Sequence, residues 1–163
     1  MLFLIGASAT VQAQQDKSQR KSPPAATSAK VNGVNVKIDY SQPSKKGRLI
    51  WGGLVKYNRV WRTGANEATT FAISADVKID GELLKTGKYG LFTIPGKEEW
   101  TIIFNNVPDQ WGSGGYKKSE DELRVTVKPS YGNPSVEKFT IEISKKGVVT
   151  MKWDDAIVSF TIS

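Results

Sequence analysis

The chain has 163 residues, a formal net charge of +7, and neither histidine nor cysteine. This length suits one domain with a single hydrophobic core rather than two domains of ordinary size. The absence of cysteine excludes disulfides and thiol nucleophiles. The absence of histidine means that the side chain which most often serves as a general base or a transition-metal ligand is missing.

The chain begins with an uncharged, mostly apolar stretch. Val11 and Ala13 stand where a signal peptidase reads small or apolar side chains. We therefore expect residues 1–13 to be a signal peptide, cleaved after Ala13, and the mature protein to be periplasmic or secreted. A short buried strand is the alternative. No lipid anchor is expected without a cysteine at the cleavage point, and no transmembrane segment is expected elsewhere.

The next stretch, residues 14–30, is rich in Gln, Ser, Lys, Pro and Ala and has no apolar period. Such a segment buries too little surface to offset the entropy of ordering. We therefore expect a disordered linker here, followed by a single domain over residues 31–163. Removing the linker is expected to leave the stability of that domain nearly unchanged.

From residue 34 onward, apolar and polar residues alternate in one segment after another, which indicates strands with one face on a core. The predicted strands are 34–40, 71–79, 89–94, 100–104, 123–127, 139–143, 148–153 and 157–162. Asp80–Gly81 predicts a tight hairpin turn because Gly accepts positive φ. Pro95–Glu99 predicts a second hairpin, and Leu54–Val60 is long enough for about one helical turn.

Many short strands joined by Gly, Pro, Asn and Asp turns, with no crossover helices, predict an all-β fold. We expect an antiparallel β-sandwich or a jelly-roll-like barrel. Six lysines stand in the pairs Lys45–Lys46, Lys117–Lys118 and Lys145–Lys146 beside Gly, Ser or Pro, as in solvated loop tips. No basic helix or aromatic RNA-binding strand motif occurs. We therefore expect no nucleic-acid partner and only a weak attraction to an anionic envelope surface.

Several word blocks identify a family. They are RLIWGGLV at 48–55, VWRTGANEAT at 60–69, GKYGLFTIPG at 87–96, WTIIFN at 100–105 and QWG at 110–112. In their order and spacing they closely resemble the DUF2911 family, whose members are typically exported proteins of Bacteroidetes. The resemblance implies an exported, single-domain β protein and implies no activity. One departure is Lys56 before Tyr57, where the family often has proline.

Polar and aromatic residues cluster at the turns between residues 61 and 115, where a rigid β scaffold can mount a site. Arg62 and Glu67 can form an ion pair that braces the loop, with Asn66 bridging backbone groups. Alternatively, Arg62 binds a carboxylate, phosphate or sugar hydroxyl of a ligand and Glu67 orients it. The candidate ligand-binding residues are Arg48, Trp51, Trp61, Arg62, Asn66, Glu67 and Trp111.

The tryptophans divide into two groups. Trp100 and Trp153 fall in alternating strands and are expected in the core, whereas Trp51 and Trp111 each precede a glycine in or beside a loop. Exposed indole rings stack on sugars or on partner side chains, although a tryptophan beside glycine can also fill the end of a sandwich. We expect the ring of Trp111 to be at least partly accessible.

These residues favour a non-catalytic module that binds a small ligand, a glycan or an envelope protein. One alternative is a carbohydrate-active hydrolase or isomerase that uses Glu67 with an unidentified second carboxylate. Another is a purely structural envelope protein, for which Arg62 is buried and no pocket lies beside it. We expect no cofactor and no metal, because the acidic runs at 119–122 and 154–155 lack the ligand spacing of a calcium loop.

Overall fold

The structure, a computed structural model, describes residues 16–163. The predicted signal peptide and the first two linker residues lie outside this range. The described chain is all-β, and its helical content is limited to two short 3₁₀ turns, Lys17–Gln19 and Lys118–Glu120. The strands are β1 Pro24–Val31, β2 Val34–Ser41, β3 Thr70–Ile73, β4 Val77–Ile79, β5 Glu82–Leu84, β6 Gly87–Ile94, β7 Trp100–Asn105, β8 Asp121–Val127, β9 Val136–Ile143, β10 Val148–Asp154 and β11 Ala156–Thr161.

The strands form a six-stranded sheet in the order β1-β2-β3-β6-β7-β8, a three-stranded sheet in the order β11-β10-β9, and the small β4-β5 hairpin. Neighbouring strands are antiparallel. The two larger sheets share one core, in which Phe71 and Phe104 contact Phe160 across the gap. The prediction of an antiparallel all-β fold is thus confirmed, and the described strands do not close into a barrel. Within residues 16–163 no helix has the length and apolarity to cross a bilayer.

One predicted strand, 71–79, is divided in two. The chain bends after Ile73 because Asp76 accepts the backbone N–H of Thr86 (2.8 Å) and pairs with Lys85 (3.3 Å). β4 then pairs with β5 instead of continuing in the large sheet. The hairpin turn between them is confirmed, with φ of 48° at Asp80 and 88° at Gly81. The expected helical turn at 54–60 is absent, and Trp51 forms a β-bridge with Val55 instead.

The start of the fold differs from the linker expectation. Residues 24–30 belong to β1, which pairs with β2 along its whole length from Pro24↔Ser41 to Val31↔Val34. Ala25 and Ala29 pack against the core from alternate positions. Because these inward side chains are methyl groups, the period of two carries a weak hydrophobic signal, and the backbone ladder supplies much of what holds the strand.

A cluster of aromatic rings fills one end of the core. Trp61 stacks on Trp153 with ring centroids 6.0 Å apart, and Trp51 meets Trp61 and Trp100 edge to face at 5.7 and 5.0 Å. The predicted core positions of Trp100 and Trp153 are confirmed, since both are buried. Such rings bury large apolar areas in defined mutual orientations. They form a rigid floor beneath the loop of residues 61–69.

Candidate functional site

The loop of residues 61–69, here called the Arg62 loop, is fixed to the large sheet. Trp61 and Thr93 exchange backbone hydrogen bonds of 2.7 and 3.0 Å, and the Trp61 Nε1 donates to the carbonyl of Gly64 (3.1 Å). Thr63 and Asn66 have φ of 57° and 56°. At Gly64 a Cβ would lie 2.9 Å from the Ser41 carbonyl oxygen. The loop therefore passes close to β2 and twice turns through left-handed backbone conformations.

These turns separate Arg62 from Glu67. The two side chains line different cavities, and Glu67 pairs with Arg20 and Lys17 rather than with Arg62. The predicted Arg62–Glu67 brace is therefore wrong. The two side chains are separated because the left-handed backbone at Thr63 and Asn66 directs the residues on either side of the turn to different faces of the loop.

Arg62 lines a cavity of about 290 Å³, here called the Arg62 cavity. Its walls come from the N-terminal segment (residues 16–23) at Ser22, from residues 43–55, from the Arg62 loop and from Trp153. Arg48 and Arg62 are its charged lining residues, and no carboxylate lines it. The cavity is therefore a pocket of positive potential over an aromatic floor.

The Arg62 guanidinium is poorly satisfied by the protein. Its Nε is buried and has no hydrogen-bond partner within residues 16–163. Burial lowers the pKa of Arg62, but a guanidinium remains protonated at neutral pH. A buried donor without a partner costs on the order of 1 to 3 kcal/mol. An acceptor that reached this nitrogen would recover that energy.

Arg48 is held at the rim of the same cavity. Its Nε donates to the carbonyl of Lys45 (3.0 Å) and one terminal nitrogen donates to the carbonyl of Ser44 (2.6 Å). These bonds orient the guanidinium without neutralising its charge. A guanidinium has five N–H donors, so others remain for a ligand.

Trp51 and Trp61 are not open stacking platforms, contrary to their place among the candidate ligand contacts. Trp61 is only 8% exposed and Trp51 only 7%. The Trp51 Nε1 donates to the carbonyl of Trp153 (3.2 Å). The bridge of each residue to neighbouring backbone draws its ring inward, where burial in the aromatic cluster outweighs exposure to solvent. Trp61 still lines the floor of the Arg62 cavity, whereas Trp51 lies in the core.

Asn66 joins the loop to the N-terminal segment. The Nδ2 of its side chain donates to the backbone carbonyl of Ser22 (3.1 Å), and its backbone carbonyl accepts the N–H of Gly112 (3.0 Å). Asn66 therefore bridges backbone groups, as the brace interpretation proposed, but the bridged partners are distant in sequence. It also holds Ser22 in place as a wall of the Arg62 cavity.

Glu67 is saturated with cationic donors. Arg20 donates to both carboxylate oxygens, at 3.0 and 2.7 Å, and the Lys17 Nζ lies 3.4 Å from one of them. Partial burial raises the pKa of Glu67, but a backbone hydrogen bond and the bonds from Arg20 and Lys17 outweigh it, so the pKa is lowered. An ionised carboxylate cannot act as a general acid. Asp39 lines the same cavity of about 260 Å³ but pairs with Lys37 at 3.3 Å.

Trp111 lies on the Glu67 side. Its ring is 66% exposed, which confirms the expected accessibility, and the Arg20 guanidinium carbon lies 5.8 Å from the ring centroid. Its backbone forms a β-bridge with Glu67. The loop after it is anchored by Tyr116, whose hydroxyl donates to Asp121 and accepts from Arg124. Burial and the bond to Asp121 raise the pKa of Tyr116 to about 12.

The candidate residues thus fall into three places. Arg48, Trp61, Arg62 and Asn66 line one cavity, Glu67 and Trp111 belong to a neighbouring cluster around Arg20, and Trp51 is in the core. Sequence reasoning missed Arg20 and Ser22 because they fall in the expected linker. The basic residues between positions 17 and 21 were the available signal. In the described part of the chain, no three Asp or Glu side chains come together as metal ligands.

Comparison with known proteins gives one match. The model of a family described as a protein of unknown function, DUF2911, matches residues 22–162. This range includes the whole Arg62 cavity. No curated protein and no solved structure matches the chain.

Proposed function

The chain belongs to the DUF2911 family, and from that premise we propose that it is a non-catalytic binding module which takes an anionic group of a small ligand into the Arg62 cavity. One observation carries the proposal: the buried Nε of Arg62 has no partner among the described residues, in a cavity with a second arginine and no carboxylate. The family description names no function with which this proposal conflicts.

The chemistry of the cavity favours a carboxylate, phosphate or sulfate group. A guanidinium presents a planar fork of donors that matches these groups two bonds at a time. The attraction is stronger in a partly enclosed cavity than in open water, because the local dielectric is lower. A volume of about 290 Å³ accommodates a small ligand or one charged unit of a larger glycan.

Neutral glycans receive less support than acidic ones. Trp51 and Trp61, which were candidates for stacking on sugar rings, are buried in the aromatic cluster and leave little ring surface for a sugar. The exposed Trp111 does not line the Arg62 cavity. Recognition in the cavity therefore depends on charge and hydrogen bonding.

The alternatives fit the same observations less well. A purely structural role predicts no pocket beside Arg62, whereas a cavity lies there. A hydrolase that uses Glu67 requires a second carboxylate facing it across an open cleft. Glu67 instead pairs with Arg20 and Lys17, and Asp39, the other acid that lines its cavity, pairs with Lys37. The proposed module acts in the periplasm or outside the cell, and the apolar character of residues 1–13 supports this location.

The proposal is tested by anion binding to wild-type protein and to Arg62→Met. Phosphate, sulfate and glucuronate are titrated at constant ionic strength, with thermal unfolding as the readout, because a ligand that binds only the folded form raises the midpoint. We expect the variant to lose about tenfold or more in affinity, since a charge-assisted hydrogen bond contributes about 1.5 to 3 kcal/mol.

The matched control is Arg59→Met, which removes an exposed arginine that does not line the cavity. It should bind the anions as tightly as the wild type. Unfolding by urea should show that Arg62→Met retains its stability to within about 1 kcal/mol, because Arg62 forms no ion pair within residues 16–163 and its buried Nε has no partner there. Equal anion affinities in wild type and Arg62→Met would contradict the proposal.

A further inference from the structure

A second cavity adjoins the Arg62 cavity. Its volume is about 310 Å³, and it is lined by Lys21, Ser22, Ser44, Lys46 and Arg48. Ser22 and Arg48 line both cavities, so the two share a wall. The second cavity, here called the lysine cavity, has cationic side chains and hydroxyl groups on its walls and no carboxylate.

The cations of the two cavities are not neutralised within the fold. Lys21, Lys46, Arg48 and Arg62 form no ion pair within residues 16–163. By contrast, Lys45, the sequence neighbour of Lys46, pairs with Asp154 at 2.6 Å.

Glu137 lies beside Lys46 but does not pair with its side chain. A carboxylate oxygen of Glu137 accepts the backbone N–H of Lys46 at 2.8 Å, which fixes the turn rather than the lysine side chain. Four cations around adjoining cavities repel one another, and a bound anion relieves that repulsion. The charge of the site therefore exceeds what a single monoanion needs.

Arg48 connects the two cavities. Two of its donors are bound by the carbonyls of Lys45 and Ser44, which holds the guanidinium on the shared wall. The remaining donors can bind an anion on either side of that wall. Two anionic groups of one ligand can thus bind at the same time, which raises the affinity because the second group binds from a high effective concentration.

We propose that the two cavities form one groove for a polyanion, a small molecule or glycan that carries at least two phosphate or sulfate groups. One group binds Arg62, and the next binds Arg48, Lys21 and Lys46. This inference rests on the proposed function, since it uses Arg62 as the first of the two sites. It adds the class of ligand: multiply phosphorylated or sulfated rather than singly charged.

The test compares phosphate, pyrophosphate and tripolyphosphate by isothermal titration calorimetry at constant ionic strength. A doubly sulfated disaccharide forms a parallel arm and distinguishes a sulfated from a phosphorylated ligand. We expect wild-type protein to bind pyrophosphate at least about tenfold more tightly than phosphate, because the second group gains charge-assisted bonds of its own.

The variants are Lys21→Met and Lys46→Met, with Lys88→Met as control. Lys21 and Lys46 are exposed, and Lys88 lies on β6 and lines neither cavity. Each cavity variant should lose about three- to tenfold in pyrophosphate affinity and keep its phosphate affinity within about twofold. The control should match wild type for both ligands. Circular dichroism and the urea midpoint establish that each variant is folded.

Two failures are distinguishable. If phosphate binding depends on Arg62 but pyrophosphate binds no more tightly, or equally well in Lys21→Met and Lys46→Met, the polyanion inference is overturned and the proposed function stands. If phosphate, sulfate and glucuronate bind wild type and Arg62→Met alike, the proposed function fails and this inference fails with it. A pyrophosphate affinity that is insensitive to Arg62→Met also overturns the inference, because the groove then lacks its first site.

Discussion

The two sides of the Arg62 loop hold opposite electrostatic situations. On one side, the carboxylate of Glu67 is bound by Arg20 and Lys17, and its pKa is lowered. On the other side, Arg62 has a buried Nε with no partner in residues 16–163, beside a cavity without acids. A saturated charge contributes to holding the fold together, whereas an unsatisfied one retains affinity for a ligand. The comparison therefore supports the proposed binding role of Arg62 and a structural role for Glu67.

The N-terminal segment contributes to both sides. Arg20 reaches Glu67, whereas Ser22 forms a wall of the Arg62 cavity. The segment is held by the hydrogen bond from Asn66 to Ser22 and by the backbone bond from Gln42 to Pro23, 2.8 Å long. The ion pair on the Glu67 side thus helps to position a wall of the cavity on the Arg62 side.

The largest expected effect is on stability, and it compares the tryptophan on each side of the Arg62 loop. Trp61→Ala removes a buried ring from the floor of the Arg62 cavity, and we expect a loss of about 3 to 5 kcal/mol in the free energy of unfolding. Trp111→Ala removes a ring that is 66% exposed on the Glu67 side, and we expect a loss below about 1 kcal/mol. Urea unfolding followed by far-UV circular dichroism measures both.

Trp100→Ala provides the reference for a fully buried tryptophan. It should resemble Trp61→Ala and not Trp111→Ala. Equal losses in Trp61→Ala and Trp111→Ala would mean that both sides rest on the core, and the contrast between them would then have no basis in packing.

The extent to which sequence predicts this arrangement depends on side-chain size and on the range of the contacts. β6 and β7 were predicted because large apolar residues such as Phe92 and Ile102 make strand alternation conspicuous. β1 was not, because alternating methyl groups resemble a low-complexity linker. The antiparallel class followed from the absence of crossover helices.

Local sequence patterns do not predict which side chains pair within the site. Arg62 and Glu67 are close in sequence and a pair between them was one prediction, but the pairing depends on φ at Thr63 and Asn66. Left-handed backbone is tolerated by Asn but is unusual for a β-branched residue such as Thr63, so the sequence gives no local signal for it. The actual partner of Glu67, Arg20, is 47 positions away. Such a contact depends on β1 joining the sheet, which local propensity does not report. The word blocks include the candidate residues, and the contacts between those residues depend on the tertiary structure.

A smaller effect is the coupling energy that tests whether Glu67 pairs with Arg20 or with Arg62. In a double-mutant cycle, Arg20→Gln and Glu67→Gln should show a coupling energy of about 0.5 to 1 kcal/mol, the upper range for partly exposed ion pairs. Arg62→Met and Glu67→Gln should add within about 0.3 kcal/mol, because these side chains line separate cavities. The measurement is urea unfolding at pH 7.

The two cycles can fail independently. Strong coupling between Arg62 and Glu67 would restore the brace and remove the reason to assign Arg62 to a ligand. Absence of coupling between Arg20 and Glu67 would show that the N-terminal segment is held without the ion pair.

The smallest effect is the pH dependence of the Glu67 contribution. Because the folded state lowers the pKa of Glu67, the ionised form is bound more favourably there than in the unfolded chain. The stabilisation is complete above the unfolded pKa of about 4.3 and is lost as pH falls through the lower folded value. The stability difference between wild type and Glu67→Gln, measured by urea unfolding from pH 7 to pH 2.5, should therefore be constant above about pH 5 and shrink below about pH 4.3.

Two backgrounds make this pH dependence a test of the comparison. When Arg20→Gln is the background, the stability difference caused by adding Glu67→Gln should become smaller at pH 7, because the main donor to the carboxylate is missing. When Arg62→Met is the background, the difference should keep its wild-type size and pH range, because Arg62 lines the other cavity. If Arg62→Met alters the pH dependence as much as Arg20→Gln does, the two sides of the loop share one electrostatic environment, and Arg62 is partly neutralised by Glu67 after all.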